Sequence, residues 1–239
     1  MANEIKDLGK VLTELETKRD FDKIENDPSL VRASSLIEEA LRELGFYRKV
    51  DLESNSHTYL KDPSHYQKTP FRIAKAWKEF IDNILSDTEV RYKANVTIFE
   101  DFTIDELISV VNIPFSSLCI HHFFPFSGYV DIAYLPNGKI LGLSKFPRLV
   151  KIKCAKPTIQ EILSKELVDL FNRILSPKFI MVMVTGVHTC CSCRGINTEV
   201  PMIYSSIRYD KEFVKDEEVD GLKSEAISLF KRARQAMRR

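Results

Sequence analysis

A chain of 239 residues that is 44% hydrophobic and 29% charged has enough apolar material for its own core and is too hydrophobic to be globally disordered. Its 35 Lys and Arg against 34 Asp and Glu leave a net charge of +1, which gives no general grip on a polyanion such as nucleic acid. Eight glycines, roughly half the usual share, leave little from which to build a glycine-rich phosphate loop, and no run approaches the ~20 apolar residues of a membrane span.

The length predicts one elaborated domain, or one domain with an extension. Met1-Ala2-Asn3-Glu4 opens a segment of mixed charge, not a signal peptide, so a cytoplasmic protein is expected. Ile5, Leu8, Val11, Leu12 and Leu15 have the spacing of an amphipathic helical arm. A second helix is predicted from Ser29 to Leu44, stopped at Gly45, before a polar loop from Asp51 to Ser64. Thr69 is the expected N-cap of a third helix, with Pro70 at its first position, Ile73, Ala74, Trp77, Phe80, Ile81 and Ile84 as its buried stripe, and Arg72 and Lys75 off that stripe.

From Leu107 the texture becomes β-branched and aromatic. Strands are predicted over Leu107–Val111 and Gly128–Tyr134, with a turn at Pro136-Asn137-Gly138. Helical spacing covers Leu143–Cys154 and Pro157–Leu175, strands return at Phe179–Val187 and Met202–Tyr209, and Leu222–Arg239 is again helical. The order β-β-α-α-β-β describes an α+β domain over residues 67–215, with an N-terminal helical extension over 1–66 and a basic C-terminal helix over 216–239. That last helix carries Lys231, Arg232, Arg234, Arg238 and Arg239 and reads as a solvated end.

Five cysteines in a chain with no secretion signal argue for reduced thiols. Cys119-Ile120-His121-His122 and His188-Thr189-Cys190-Cys191-Ser192-Cys193-Arg194-Gly195 hold three of the five histidines, so metal binding is the first question. Zn²⁺ accepts thiolate and imidazole, and three protein ligands leave a fourth position for water. Buried core cysteines, or a closed structural site completed by Cys191 and Cys193, are the competing readings, and spacing alone does not separate them. No Walker loop is present: Gly142-Leu143-Ser144-Lys145 has the wrong spacing, so a phosphorylated ligand would have to be held by side chains.

Six motifs occur in order: Cys-x-His-His from Cys119, Pro-Phe-x-Gly from Pro125, Tyr-x-Pro from Tyr134, Gly-Leu-Ser-Lys-x-x-Arg from Gly142, Gln160-Glu161, and His-x-Cys-x-x-x-Arg-Gly from His188. With these motifs the chain resembles GTP cyclohydrolase I. The resemblance covers about Pro70 to Gly195. It implies a tunnelling fold, in which antiparallel sheets from several subunits close into a barrel with helices outside, usually as a homodecamer with active sites between subunits. It implies zinc-dependent conversion of GTP to 7,8-dihydroneopterin triphosphate with release of formate, the first step of pterin and folate-type biosynthesis. Residue by residue, the family's zinc ligands fall on Cys119, His122 and Cys190, and its catalytic histidines on His121 and His188. Neighbouring histidines on an extended segment would point to opposite sides, in keeping with that division. The triphosphate contacts fall on Ser144, Lys145, Arg148 and Arg194, with Arg72 and Lys75 from a neighbouring subunit. Gln160 and Glu161 fall on the guanine-binding positions.

The chain also departs from the pattern. Ile120 stands where the family has glutamate, which removes a carboxylate beside the metal site, and Cys154 is a thiol in a predicted helix. Two rivals follow: a non-catalytic homologue that keeps purine or pterin binding, and a related tunnelling-fold enzyme with Cys154 as nucleophile.

Overall fold

The apolar stripes of the first two described stretches are buried only in part: Leu30 and Ala74 are covered, whereas Trp77, Ile81 and Ile84, expected in the buried stripe, are exposed, as is Leu36. In a computed structural model that describes residues 27–46, 66–85 and 96–237, helix α1 spans Pro28–Glu43 and helix α2 spans Thr69–Leu85. The Asp27 carboxylate caps α1 by accepting from the Ser29 N–H at 2.8 Å, and Pro28 fills the first turn, where its missing N–H costs nothing. The helix gives way to Gly45, whose φ of 77° is the left-handed conformation expected there. Thr69 is not the cap of α2. The Lys68 carbonyl already accepts from the Arg72 N–H at 3.0 Å, so the helix starts one residue earlier than the Thr-Pro signal predicts. Leu30 of α1 and Ala74 of α2 are buried, and Lys78 reaches to 3.9 Å from Asp27. These helices belong to one unit, residues 1–85; residues 86–239 form a second. The arm expected around Ile5–Leu15 and the loop expected at Asp51–Ser64 lie outside the described residues.

In the second unit the elements are β1 (Ile98–Phe102), β2 (Ile108–Leu118), β3 (Pro125–Leu135), β4 (Gly138–Leu141), α3 (Lys145–Cys154), α4 (Gln160–Leu175), β5 (Phe179–His188), a single turn α5 (Thr189–Ser192), β6 (Pro201–Tyr209) and α6 (Val219–Ala236). β1 and β4 are additions to the predicted order. They pair antiparallel as a two-stranded ribbon, and β1 is mostly exposed, so its sequence carries no burial pattern to read. Helix α4 begins at Gln160, three residues after the predicted start, because Thr158 is bonded to the end of β2 and Ile159 is extended.

The main sheet has the order β2-β3-β5-β6, all antiparallel. Strand β5 explains its own unbroken apolar run. Ile180, Val182 and Val184 face Leu163, Leu167 and Phe171 of α4 and Leu149 of α3, while Phe179, Met181 and Met183 face Val219, Ala226 and Phe230 of α6. Alternate residues are buried on both faces, each full burial contributing ~1.5–3 kcal/mol.

The second face also contains a buried charge. Strand β2 bulges between Val110 and Ile113, and Asn112 there takes φ 56°. Its N–H donates to Asp131 Oδ1 at 2.8 Å, Asp131 is fully buried, and the other Asp131 oxygen meets the guanidinium of Arg234. The C-terminal helix is therefore a cover of the sheet fixed by an ion pair, not merely a solvated end.

Candidate active site

One end of the main sheet gathers most of the sequence-selected residues. Strand β2 runs into Cys119, which is 2% exposed. The chain then reverses: the Cys119 N–H donates to the Phe124 carbonyl at 2.8 Å, and the Phe123 N–H donates to the Cys119 carbonyl at 2.9 Å. Phe123 takes φ 54° at this tip, a conformation that disfavours a bulky side chain by about 1–2 kcal/mol and that these two bonds enforce. His121 and His122 are exposed on the turn. Strand alternation, expected to separate them, does not apply, because the segment is a turn and not extended.

The tip is fastened from behind. Ile120 N–H donates to the Thr158 carbonyl at 3.2 Å and Thr158 N–H donates to the Leu118 carbonyl at 2.9 Å, while the Ser117 hydroxyl donates to the Lys156 carbonyl at 3.0 Å. The first turn of α4, with Gln160 and Glu161, thereby sits next to the cysteine. Lys153 and Lys156 close on Glu166 at 3.2 and 2.9 Å and hold α3 to α4 at the same end.

His188 is the last residue of β5 and pairs across the sheet with Phe126. The two rings stack with centroids 4.6 Å apart and planes 3° from parallel. Its Nε2 lies 3.1 Å from Gln160 Oε1. Burial lowers the His188 pKa, the Glu161 carboxylate works against that, and His121 adds to the lowering. Cys190 follows in α5, whose Thr189 hydroxyl donates to the Pro125 carbonyl at 2.7 Å. Burial pushes the Cys190 thiol up, as do the Cys191 thiol 4.0 Å away and the charges of Cys191 and Cys119, while Arg194 pulls it down. His188 and Cys190 do not share a strand face, because the chain turns helical between them.

Among the described residues no three His, Cys, Asp or Glu side chains close around a metal position. The donor chemistry nevertheless fits zinc. Cys119 is close enough to Cys190 to help push its thiol up, a divalent cation would favour the thiolate, and an imidazole from the turn completes a sulfur-nitrogen set.

Three of the remaining candidates lie at the other end of the sheet. Ser144, Lys145 and Arg148 open α3, and Phe146 between them packs on Tyr134 with ring centroids 6.0 Å apart. Tyr134 is eight residues from Phe126 along β3, or ~26 Å at 3.3 Å per residue. This group is at the far end of the sheet from Cys119 and His188 of the same chain. Arg72, exposed, and Lys75, half-buried, occupy α2 in the first unit. Gln160, expected to meet guanine, is fully buried and bonded to protein groups. Phe126, inside the Pro-Phe-x-Gly motif, is the platform for His188, a role that depends on strand pairing and not on local spacing. The glycine of that motif has a reason too: a Cβ on Gly128 would lie 1.9 Å from the Thr185 carbonyl oxygen.

The family model for GTP cyclohydrolase I matches residues 58–228. Curated relatives named GTP cyclohydrolase 1 agree. The protein of Hydrogenobaculum sp. (strain Y04AAS1) is 39% identical over 133 residues, 55% of this chain and 69% of its own. That of Latilactobacillus sakei subsp. sakei (strain 23K) is 35% identical over 173 residues, 69% of this chain and 84% of its own, and that of Aquifex aeolicus (strain VF5) is 38% identical over 136 residues, 56% and 70%. With four of the six ordered motifs gathered at one sheet end and a family match across most of its length, the chain belongs to the GTP cyclohydrolase I family of enzymes.

Proposed function

We propose that this enzyme hydrolyses GTP to 7,8-dihydroneopterin triphosphate and formate, opening the route to pterins and folates. The observation that carries the reading is the corner itself: His188, stacked and hydrogen-bonded, in the electrostatic neighbourhood of Glu161 and His121, with Cys119 and Arg194 in that of Cys190. Cys119, Cys190 and His122 would hold a zinc ion. Zinc, when bound, supplies a Lewis acid that makes water a nucleophile at neutral pH.

The chain's own groups do the rest. Glu161, partly exposed at the start of α4, accepts the N–H groups of the guanine edge and orients the imidazole ring of the base toward His188. Arg194 grips phosphate oxygens with its forked guanidinium. His188 and His121 move protons as the purine ring opens, formate leaves and the ribose carbons close the new ring. Burial lowers the His188 pKa and so favours the neutral imidazole, the form that can accept a proton.

The distance between the two sheet ends supports active sites shared between subunits. If Ser144, Lys145 and Arg148 hold the triphosphate of a GTP bound at Cys119 and His188, they come from a different copy of the chain, as do Arg72 and Lys75. Assembly has material to work with: β2 and β6 are the outer strands of the sheet, and Ile203 and Tyr204 of β6 are exposed. A ring-shaped barrel, with a decamer as the family precedent, is the assembly we propose. The cysteine-nucleophile rival loses support because Cys154 is 2% exposed and burial pushes its thiol up to about 12.

The test is incubation with GTP, with formate and product measured alongside bound metal. Cys119→Ala and Cys190→Ala are expected to lose both zinc and product, and Cys193→Ala to keep both. Tight GTP binding without formate from the zinc-loaded protein would favour a binding module instead.

A further inference from the structure

We propose that Gln160 is a positioning residue that fixes the His188 ring and holds it as its Nε2–H tautomer, with the lone pair on Nδ1. The inference rests on reading His188 as a proton-transfer group.

The Gln160 carboxamide is 0% exposed. Its nitrogen donates to the Val184 carbonyl at 2.9 Å and to the Met202 carbonyl at 2.8 Å. Carbonyl oxygens only accept, so these two bonds define which end of the amide is nitrogen and use both of its hydrogens. The other end, Oε1, therefore faces His188 Nε2 at 3.1 Å. An amide oxygen has no proton to give, so His188 Nε2 must donate. A neutral imidazole carries one N–H, which places its lone pair on Nδ1.

Two further features hold the arrangement. The Phe126 ring lies parallel to the imidazole at 4.6 Å and fixes its plane. Gly186, beneath the amide on β5, leaves the space it needs, since a Cβ there would stand 2.8 Å from Gln160 Oε1 and 3.4 Å from its Cδ. With no N–H left over, the Gln160 side chain has nothing to offer guanine; it acts through His188.

The experiment is ¹⁵N solid-state NMR of the full-length protein labelled at histidine, recorded at a pH where His188 is neutral. Its signals are assigned by their loss in His188→Ala. Wild type is expected to show a protonated Nε2 and a bare Nδ1. Gln160→Met, similar in length and without hydrogen-bonding groups, is expected to give mixed tautomers and to lower kcat about ten- to a hundredfold with GTP affinity unchanged. Should Gln160→Met fail to fold, Gly186→Ala displaces the same amide and is expected to shift the same signals. A protonated Nδ1 in the wild type, or a His188 spectrum unaltered in these variants, would overturn the proposal. So would loss of GTP affinity at constant kcat in Gln160→Met, which would place the amide on the substrate. Failure of the reading of His188 shows separately, as wild-type turnover in His188→Ala, while the spectrum still decides the hydrogen bond.

Discussion

Strand β3 carries an aromatic stack at each end. At one end Tyr134 packs on Phe146, which stacks on Phe171 at 5.3 Å. At the other, Phe115 meets Phe126 edge-on at 5.5 Å and Phe126 stacks on His188. The packing device is the same, but the first stack ends in hydrocarbon and supplies cohesion, whereas the second ends in an imidazole with a hydrogen bond already made. A titratable ring placed at the end of a rigid stack needs little reorganisation to react, so the same contacts serve stability at one end and chemistry at the other.

The comparison breaks most sharply in a mixing experiment. Cys190→Ala disables the imidazole end and Arg148→Ala the far end, so each variant alone is expected to lose most activity. Reassembling the two together should restore formate release, because mixed rings contain sites in which both ends are intact. Mixtures no better than the sum of their parts would mean that one chain supplies the whole site.

Next in size are the phosphate contacts. Arg194→Ala removes a charged hydrogen bond worth about 1.5–3 kcal/mol, so the preference for GTP over guanosine should fall about ten- to a hundredfold. An unchanged preference in equilibrium binding would remove Arg194 from the triphosphate.

Ile120 gives a smaller effect. It is 45% exposed at the turn, beside the two histidines, where an apolar side chain can neither orient an imidazole nor exchange a proton. Ile120→Glu is expected to raise turnover about tenfold at constant zinc content. Turnover that fell would show that this corner has adapted to the apolar residue.

The smallest effect lies in the strap between α3 and α4. Burial raises the Glu166 pKa, but Lys156 and Lys153 outweigh it and the net shift is downward from 4.5. A carboxylate depressed on folding contributes stability that is complete above its unfolded pKa and is lost as pH falls through the folded one. Glu166→Gln should therefore lower the thermal midpoint modestly at neutral pH, with the gap to wild type closing below about pH 4. A gap independent of pH would assign the loss to packing.

The helices with clean stripes, the doubly buried β5 and the Cys-His clusters were legible in the sequence because each depends on local spacing. What could not be read depends on partners distant in the chain. The pairing of Phe126 with His188 spans two helices, the Asp131–Arg234 pair joins β3 to the final helix, and nothing in Gln160-Glu161 announces that one side chain turns inward and its neighbour outward. The mirror case is Ser144, Lys145 and Arg148: their motif is plain, yet only the fold shows that α3 begins at the wrong end of the sheet to serve its own chain's cysteines.

The stitch between Ile120 and Thr158 has a consequence in time. It belongs to an isolated bridge between Cys119 and Thr158, while Val182 and Met183 are laddered on both sides in the middle of the sheet. Local opening of the turn breaks few bonds and exposes little apolar surface, so its free energy lies well below that of global unfolding. Amide hydrogens of Ile120 and Thr158 should accordingly exchange with solvent long before those of Val182 and Met183. The corner proposed as the active site is thus free to open and reclose many times within the lifetime of the folded sheet.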